Sequence, residues 1–235
     1  MLKYKNVLVS GCSFTRDWGA GALRSWPHFV QQHYNFDTVV NCALSSAGNK
    51  HIADSIVHQL EFNTELTPVD TYVIVMWTGA DRMDTMVAGT SIKDFPNSDY
   101  YYYNDHIATG TTGGIHRKQG VLGALYDVKN KSILALETFI NITNTYHYLR
   151  SRGYKFKFLT WRNIKLPARD HAFDWQKLLD PPVDCTHMFA DIPTVYEYCL
   201  RHEYMSKDDY HPTAEGYQHW VCLLYTSDAA DEVQC

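Results

Sequence analysis

The apolar residues along the chain fall into two alternating kinds of segment. Short runs rich in β-branched and aromatic residues read as strands: Asn6–Ser10 (NVLVS), Thr38–Asn41 (TVVN), Thr71–Trp77 (TYVIVMW) and 154–161 (YKFKFLTW). The third run is apolar on both faces, as a buried parallel strand should be. The fourth alternates. Between the strands lie segments with helical spacing. Trp26–Tyr34 carries Pro27 in its first turn. Residues 49–61 place Ile52, Ile56, Val57 and Leu60 at i, i+4, i+5 and i+8. Residues 132–152 form an amphipathic pattern stopped by Gly153, and 194–203 and 212–221 follow as shorter helices. Alternating strands and helices predict a parallel α/β sheet with helices on both faces and right-handed connections.

Two stretches interrupt this rhythm. Residues 86–130 hold the run DYYYYND and the Gly/Thr-rich TGTTGG but little apolar periodicity, so they read as an insertion or lid. Residues 163–192 are irregular and contain prolines.

Composition narrows the classes. A chain of 235 residues that is 45% hydrophobic suits one α/β domain, expected over 1–221. The net charge is −5 and no Lys/Arg run stands out, so no nucleic-acid footprint is indicated. The 17 Tyr, 6 Trp and 10 Phe fit packing and surface roles, or a sugar- or aryl-binding face. The opening MLKYKNVLVSG is too short in apolar residues for a signal peptide. No apolar stretch reaches the ~20 residues of a membrane span, so a soluble, cytoplasmic protein without membrane partners is expected. The six cysteines, at 12, 42, 185, 199, 222 and 235, form no CxxC pair. They read as free thiols rather than a zinc knuckle or disulfide framework. The string CLLYTSDAADE at 222–232 resembles the translation of a transposase-type sequencing adapter. The native sequence is therefore expected to stop near Val221, and 222–235 is set aside from functional reasoning.

In such sheets ligands bind at the carboxyl ends of the strands, which directs attention to four places. After the first strand come Gly11-Cys12-Ser13, where Gly11 allows a tight turn and Ser13 would face backbone N–H groups able to bind an oxyanion. A serine there is more often a helix cap. After the second strand, Gly48 could bring its N–H close to a ligand, although Gly is common at such junctions. The third strand leads into Trp77-Thr78-Gly79-Ala80-Asp81-Arg82, an ordinary turn or a further hydrogen-bonding site. Near the end, Asp208-Asp209-Tyr210-His211-Pro212 puts a carboxylate three residues before a histidine. One loop could then present Asp208 to one ring nitrogen while the other faces a serine.

Taken in order, the four sites resemble the SGNH hydrolases, also called GDSL-type esterases, over residues 6 to about 220. The family's G-D-S block corresponds to Gly11-Cys12-Ser13, its second-block glycine to Gly48, its G-x-N-D to Gly79-Ala80-Asp81-Arg82, and its D-x-x-H to Asp208 through His211. The resemblance implies a flavodoxin-like three-layer α/β/α sandwich. It implies a Ser13–His211–Asp208 triad and oxyanion donors at the Ser13 and Gly48 N–H groups. It implies hydrolysis of small acyl esters, with carbohydrate esters in view, and no metal or organic cofactor.

Two positions depart from the family pattern. Cys12 replaces an Asp that is not the nucleophile. Asp81 stands where the family has its oxyanion-donating Asn, and an ionised carboxylate accepts but does not donate. Asp81 could be held by Arg82 in a structural part, Asn49 could supply the missing donor, or the site could hydrolyse esters poorly. Trp77, Arg82 and Trp161 lie at or near strand ends and are candidate substrate contacts, with packing the plain alternative. Two other functions stay open: a non-catalytic or weakly catalytic carbohydrate-binding module, and an acyltransferase.

Overall fold

The computed structural model describes residues 4–16, 25–45, 47–80, 82–86, 102–103, 107–111, 131–162, 188–208 and 210–233. Four parallel strands make the central sheet: β1 (Asn6–Ser10), β2 (Thr38–Asn41), β3 (Thr71–Trp77) and β7 (Lys155–Thr160), in the spatial order β2-β1-β3-β7. An isolated parallel bridge from Phe158 to Phe189 extends this edge. The chain thus starts in the middle, steps to one side at β2, then crosses back to β3. In open sheets of this kind such a reversal marks the place, at the carboxyl ends of the strands, where ligands bind.

Helices cover both faces. α1 (Trp26–Tyr34) packs against α5 (Ala214–Val233) on one side, and α2 (Asn49–Phe62) packs against α3 (Lys131–Ser151) on the other. α4 (Val195–Arg201) lies against α5. The three-layer α/β/α architecture expected from the alternating pattern is the one observed. Its core follows from that pattern. Every residue of β3 is buried, as are Val7, Leu8 and Val9 of β1. Trp26 of α1 meets Trp220 of α5 edge-on at 6.3 Å between ring centroids, both fully buried. α3 ends at Gly153, whose φ of +77° is a left-handed conformation that glycine adopts without strain.

Two elements differ from the sequence reading. Residues 82–111 contribute a second sheet, with β4 (Arg82–Met86) and β5 (Tyr102–Tyr103) both antiparallel to β6 (Ile107–Thr111). β4 begins before the expected insertion. Its polar-apolar sequence, RMDTM, is too short to signal a strand without its partner β6. The last helix runs to Val233 rather than ending near Val221. Within that extension Leu224 is fully buried and Tyr225 packs edge-on against Tyr34 at 5.2 Å. Most of the remaining residues of 86–130 and of 163–192 lie outside the described residues. The described cysteines, Cys12, Cys42, Cys199 and Cys222, are free thiols.

Candidate active site

β1 ends at Ser10 and the chain turns at once. The N–H groups of Thr15 and Arg16 both donate to the Cys12 carbonyl at 2.9 Å, which wraps the backbone tightly around Ser13. Gly11 is required at the entry to this turn. A Cβ there would lie 2.0 Å from Thr15 Oγ1 and 3.1 Å from the Met76 carbonyl oxygen of β3. The turn is backed by buried Cys12 and Phe14, and Trp26 Nε1 donates to Thr15 Oγ1 at 3.3 Å. Ser13 itself remains half-buried.

The histidine arrives from the far end of the chain. Residues 204–213 fold back on themselves: Ser206 N–H donates to the His211 carbonyl at 2.8 Å, and Thr213 N–H donates to the Tyr204 carbonyl at 2.7 Å. Tyr210, just before His211, has φ +57°, a strained conformation for a bulky side chain. That loop places His211 Nε2 2.9 Å from Ser13 Oγ, across 198 residues of sequence. The imidazole packs on the Phe14 ring at 4.7 Å between centroids. From α5, the buried Tyr217 hydroxyl donates to the Phe14 carbonyl at 2.9 Å and ties the helix following His211 to the turn carrying Ser13.

Asp208 lies on the same loop. Its backbone N–H donates to Ser206 Oγ at 3.2 Å, its side chain is exposed, and among the described residues no hydrogen bond joins its carboxylate to the imidazole.

The turn between β2 and α2 runs beside the nucleophile turn. Cys42 N–H donates to the Val9 carbonyl and Leu44 N–H to the Gly11 carbonyl, at 3.0 and 3.1 Å. Gly48 is the N-cap residue of α2 and has no side chain to satisfy the first N–H groups of the helix. Asp84 of β4 does this instead. Its carboxylate accepts from the Gly48 N–H at 2.8 Å and from the His51 N–H at 2.7 Å. One carboxylate, delivered from another strand, thus makes both bonds of a capping box. The fit leaves no room for a larger residue, because a Cβ on Gly48 would lie 2.6 Å from Asp84 Oδ2. Burial pushes the Asp84 carboxyl up to about 6; its two N–H donors and Arg82 pull the other way, and Asp54 adds to the rise.

Asn49 is equally engaged. Its Nδ2 donates to the Thr78 carbonyl and to Thr138 Oγ1, both at 3.0 Å, and its Oδ1 accepts from Thr78 N–H at 2.9 Å. This buried amide joins α2, the end of β3 and α3. All of its hydrogen-bonding hydrogens are used, which leaves none for an oxyanion in this arrangement. Asp81 lies outside the described residues.

The candidate substrate contacts separate into two groups. Trp77 is fully buried and meets Phe158 edge-on at 5.3 Å, which makes it a core residue. Trp161 is half-buried, donates from Nε1 to Thr78 Oγ1 at 3.1 Å, and stacks on Phe14 at 4.5 Å. Arg82, also half-buried, holds its guanidinium carbon 5.9 Å from the Trp161 ring centroid and donates from Nη1 to the Ala47 carbonyl at 3.2 Å. A continuous wall of His211, Phe14, Trp161 and Arg82 therefore borders Ser13. Asp84, Phe14 and Tyr217 were not singled out from sequence. For Asp84 the only available signal was its place two residues after Arg82 on a polar-apolar run.

No metal-binding cluster of His, Cys, Asp and Glu occurs among the described residues, and none of their helices is long and apolar enough to cross a membrane. No family model and no curated protein sequence matches the chain. Solved structures do. The chain is similar to the psychrotrophic esterase EstA from Pseudoalteromonas sp., with TM-score 0.52, 11% identity, and 96% of this chain and 97% of that one covered. It is similar to phospholipase A1 from Streptomyces albidoflavus, with TM-score 0.50, 13% identity and coverage of 96% and 99%. A member of the lipolytic protein G-D-S-L family from Veillonella parvula matches with TM-score 0.50, 8% identity and coverage of 94% and 98%. At such identities the likeness is one of fold, and that fold is the three-layer sandwich of the SGNH hydrolases.

Proposed function

On that fold, we propose that the protein is a serine hydrolase cleaving small acyl esters, with Ser13 as nucleophile and His211 as its base. The observation that carries this reading is the 2.9 Å approach of His211 Nε2 to Ser13 Oγ, on two turns at the carboxyl end of the sheet. A serine hydroxyl is a weak nucleophile until a base within hydrogen-bond reach accepts its proton. In the proposed reaction Ser13 Oγ bonds to the ester carbonyl carbon as its proton passes to Nε2. The carbonyl electron pair moves onto oxygen, then returns as the alkoxide leaves with the proton from His211. Water, activated in the same way, releases the acyl group.

Asp208 is the proposed orienting carboxylate, since it sits three residues before His211 on the same loop. The proposed oxyanion site starts from the Ser13 N–H. Gly48 contributes only on leaving Asp84, and Asn49 only on leaving Thr78 or Thr138. Trp161, Phe14 and Arg82 form the proposed substrate wall; its flat aromatic faces suit a sugar or aryl ester. No cofactor takes part in the scheme.

The test is labelling with a fluorophosphonate probe together with turnover of short p-nitrophenyl and acetylated-sugar esters. The expected result is covalent labelling at Ser13 that is abolished by Ser13→Ala and by His211→Ala. Labelling that persists in Ser13→Ala would overturn the assignment. A wild-type protein that neither labels nor turns over ester, yet binds sugars, would favour a carbohydrate-binding module.

A further inference from the structure

Ester hydrolysis at Ser13 puts a full negative charge on the former carbonyl oxygen, and the groups expected to receive it are largely engaged. The Gly48 N–H points at the Asp84 carboxylate. The Asn49 amide is bonded to Thr78 and Thr138. At position 81 the chain carries a carboxylate where an amide is needed. A site with only the Ser13 N–H would lack the charge complement that such chemistry requires.

A cation stands beside these groups, at Arg82. Arg82 follows β3 by five residues, and its Nη1 donates to the Ala47 carbonyl, in the turn that also carries Gly48. It also faces the Trp161 ring, which stacks on Phe14, the residue next to Ser13, and its charge acts on the Asp84 carboxyl. The guanidinium is therefore held between the β2–α2 turn and the aromatic wall that ends at His211. It is placed by rigid parts. Arg82 pairs with Thr111 in the second sheet, and Asp84, two residues along the strand, is bonded to the N-terminus of α2. A guanidinium has five N–H donors and stays charged at any working pH; the Ala47 bond uses one.

We propose that Arg82 stabilises the oxyanion formed at Ser13, in place of the side-chain amide absent from position 81. The inference rests on Ser13 being the nucleophile and adds a catalytic residue to that reading. No bond to Arg82 forms or breaks. Its N–H groups donate to the oxygen while the tetrahedral intermediate exists, and the effect falls on kcat rather than on substrate binding.

The test compares wild type with Arg82→Ala, Arg82→Gln and Arg82→Lys, using p-nitrophenyl acetate turnover, the rate of fluorophosphonate labelling and thermal denaturation. The Ala and Gln variants should lose ~10²–10³-fold in kcat with KM little changed, and labelling should slow in parallel. Lys, which keeps the charge but not the fork, should fall between. Millimolar guanidinium added to Arg82→Ala should restore part of kcat, which a purely structural Arg82 would not allow. Near-normal kcat in Arg82→Ala, with wild type active and labelled at Ser13, overturns the role of Arg82 alone. Loss of kcat with a lowered melting temperature and no guanidinium rescue also overturns it, by making Arg82 a clamp on Ala47. Absence of labelling in the wild type overturns the Ser13 reading and this one together.

Discussion

On the Ser13 side of the candidate site the two side chains proposed to react meet directly. A tight turn presents the hydroxyl, a folded-back loop brings in the imidazole at 2.9 Å, and Tyr217 ties the two. On the Gly48 side, 36 residues of sequence separate the turn from the carboxylate that fills it. There the helix N-terminus is satisfied by Asp84 and the neighbouring amide by Thr78 and Thr138. The first arrangement leaves its groups able to exchange a proton. The second uses its donors for structure. In the proposed reaction, proton transfer and charge stabilisation would draw on separate parts of the chain and depend on different neighbours.

The sharpest way to break this contrast is on the proton-transfer side. Ser13→Ala and His211→Ala should each lower kcat by ~10⁴–10⁶-fold while leaving the fold intact, because either removes the attack itself. A loss of only a few-fold in ester turnover would make the 2.9 Å contact structural. The proposed orienting carboxylate comes next. Asp208→Asn should lower kcat by as much as ~10⁴-fold if the exposed carboxylate swings onto the imidazole during turnover, with Asp209→Asn as the control. If the Asp209 variant shows the large loss and Asp208→Asn does not, the orienting role belongs to Asp209.

On the Gly48 side the effects should appear in stability first. Asp84→Ala leaves two N–H groups unsatisfied at a buried helix terminus, a cost of ~1–3 kcal/mol, measured by chemical denaturation. Gly48→Ala should cost a similar amount by forcing a methyl against Asp84. That cost should shrink in the Asp84→Ala background, a coupling that a double-mutant cycle reads directly. The pH dependence has a definite sign. The Asp84 carboxyl is pushed from 3.8 up to about 6, so the folded state holds its proton more tightly than the unfolded one. Its contribution to stability is full below 3.8 and is lost as pH rises toward 6. Asp84→Asn should remove this downward step from the melting temperature measured against pH. The smallest effect belongs to Tyr217→Phe, which deletes one buried hydrogen bond to Phe14 for about 1 kcal/mol and loosens the seam between the two halves of the Ser13 side.

Much of this was legible in the residues before any coordinates. The strand runs at 6–10, 38–41 and 71–77 and the helix at Trp26–Tyr34 are short-range patterns, and the structure reproduces their boundaries. Ser13 and His211 were each weak signals alone and stood out through the order of four strand-end blocks, which resembles that of the SGNH hydrolases. β4 was not legible, because a five-residue strand gains its stability from β6, some twenty residues later, and carries little signal alone. Trp77 and Trp161 looked alike as aromatic residues at strand ends. Only packing separates them: one is sealed against Phe158, and the other lies half-open beside Phe14.

By itself, the sequence determined the alternation of elements, the parallel sheet and the positions of the serine and histidine, since periodicity and turn chemistry act over a few residues. Tertiary structure alone decided which polar groups are available. Whether the Gly48 N–H and the Asn49 amide face a substrate or a carboxylate, a carbonyl and a hydroxyl depends on Asp84, Thr78 and Thr138. Those residues lie 29 to 89 positions away, and a donor with one hydrogen serves only the partner that the fold brings to it.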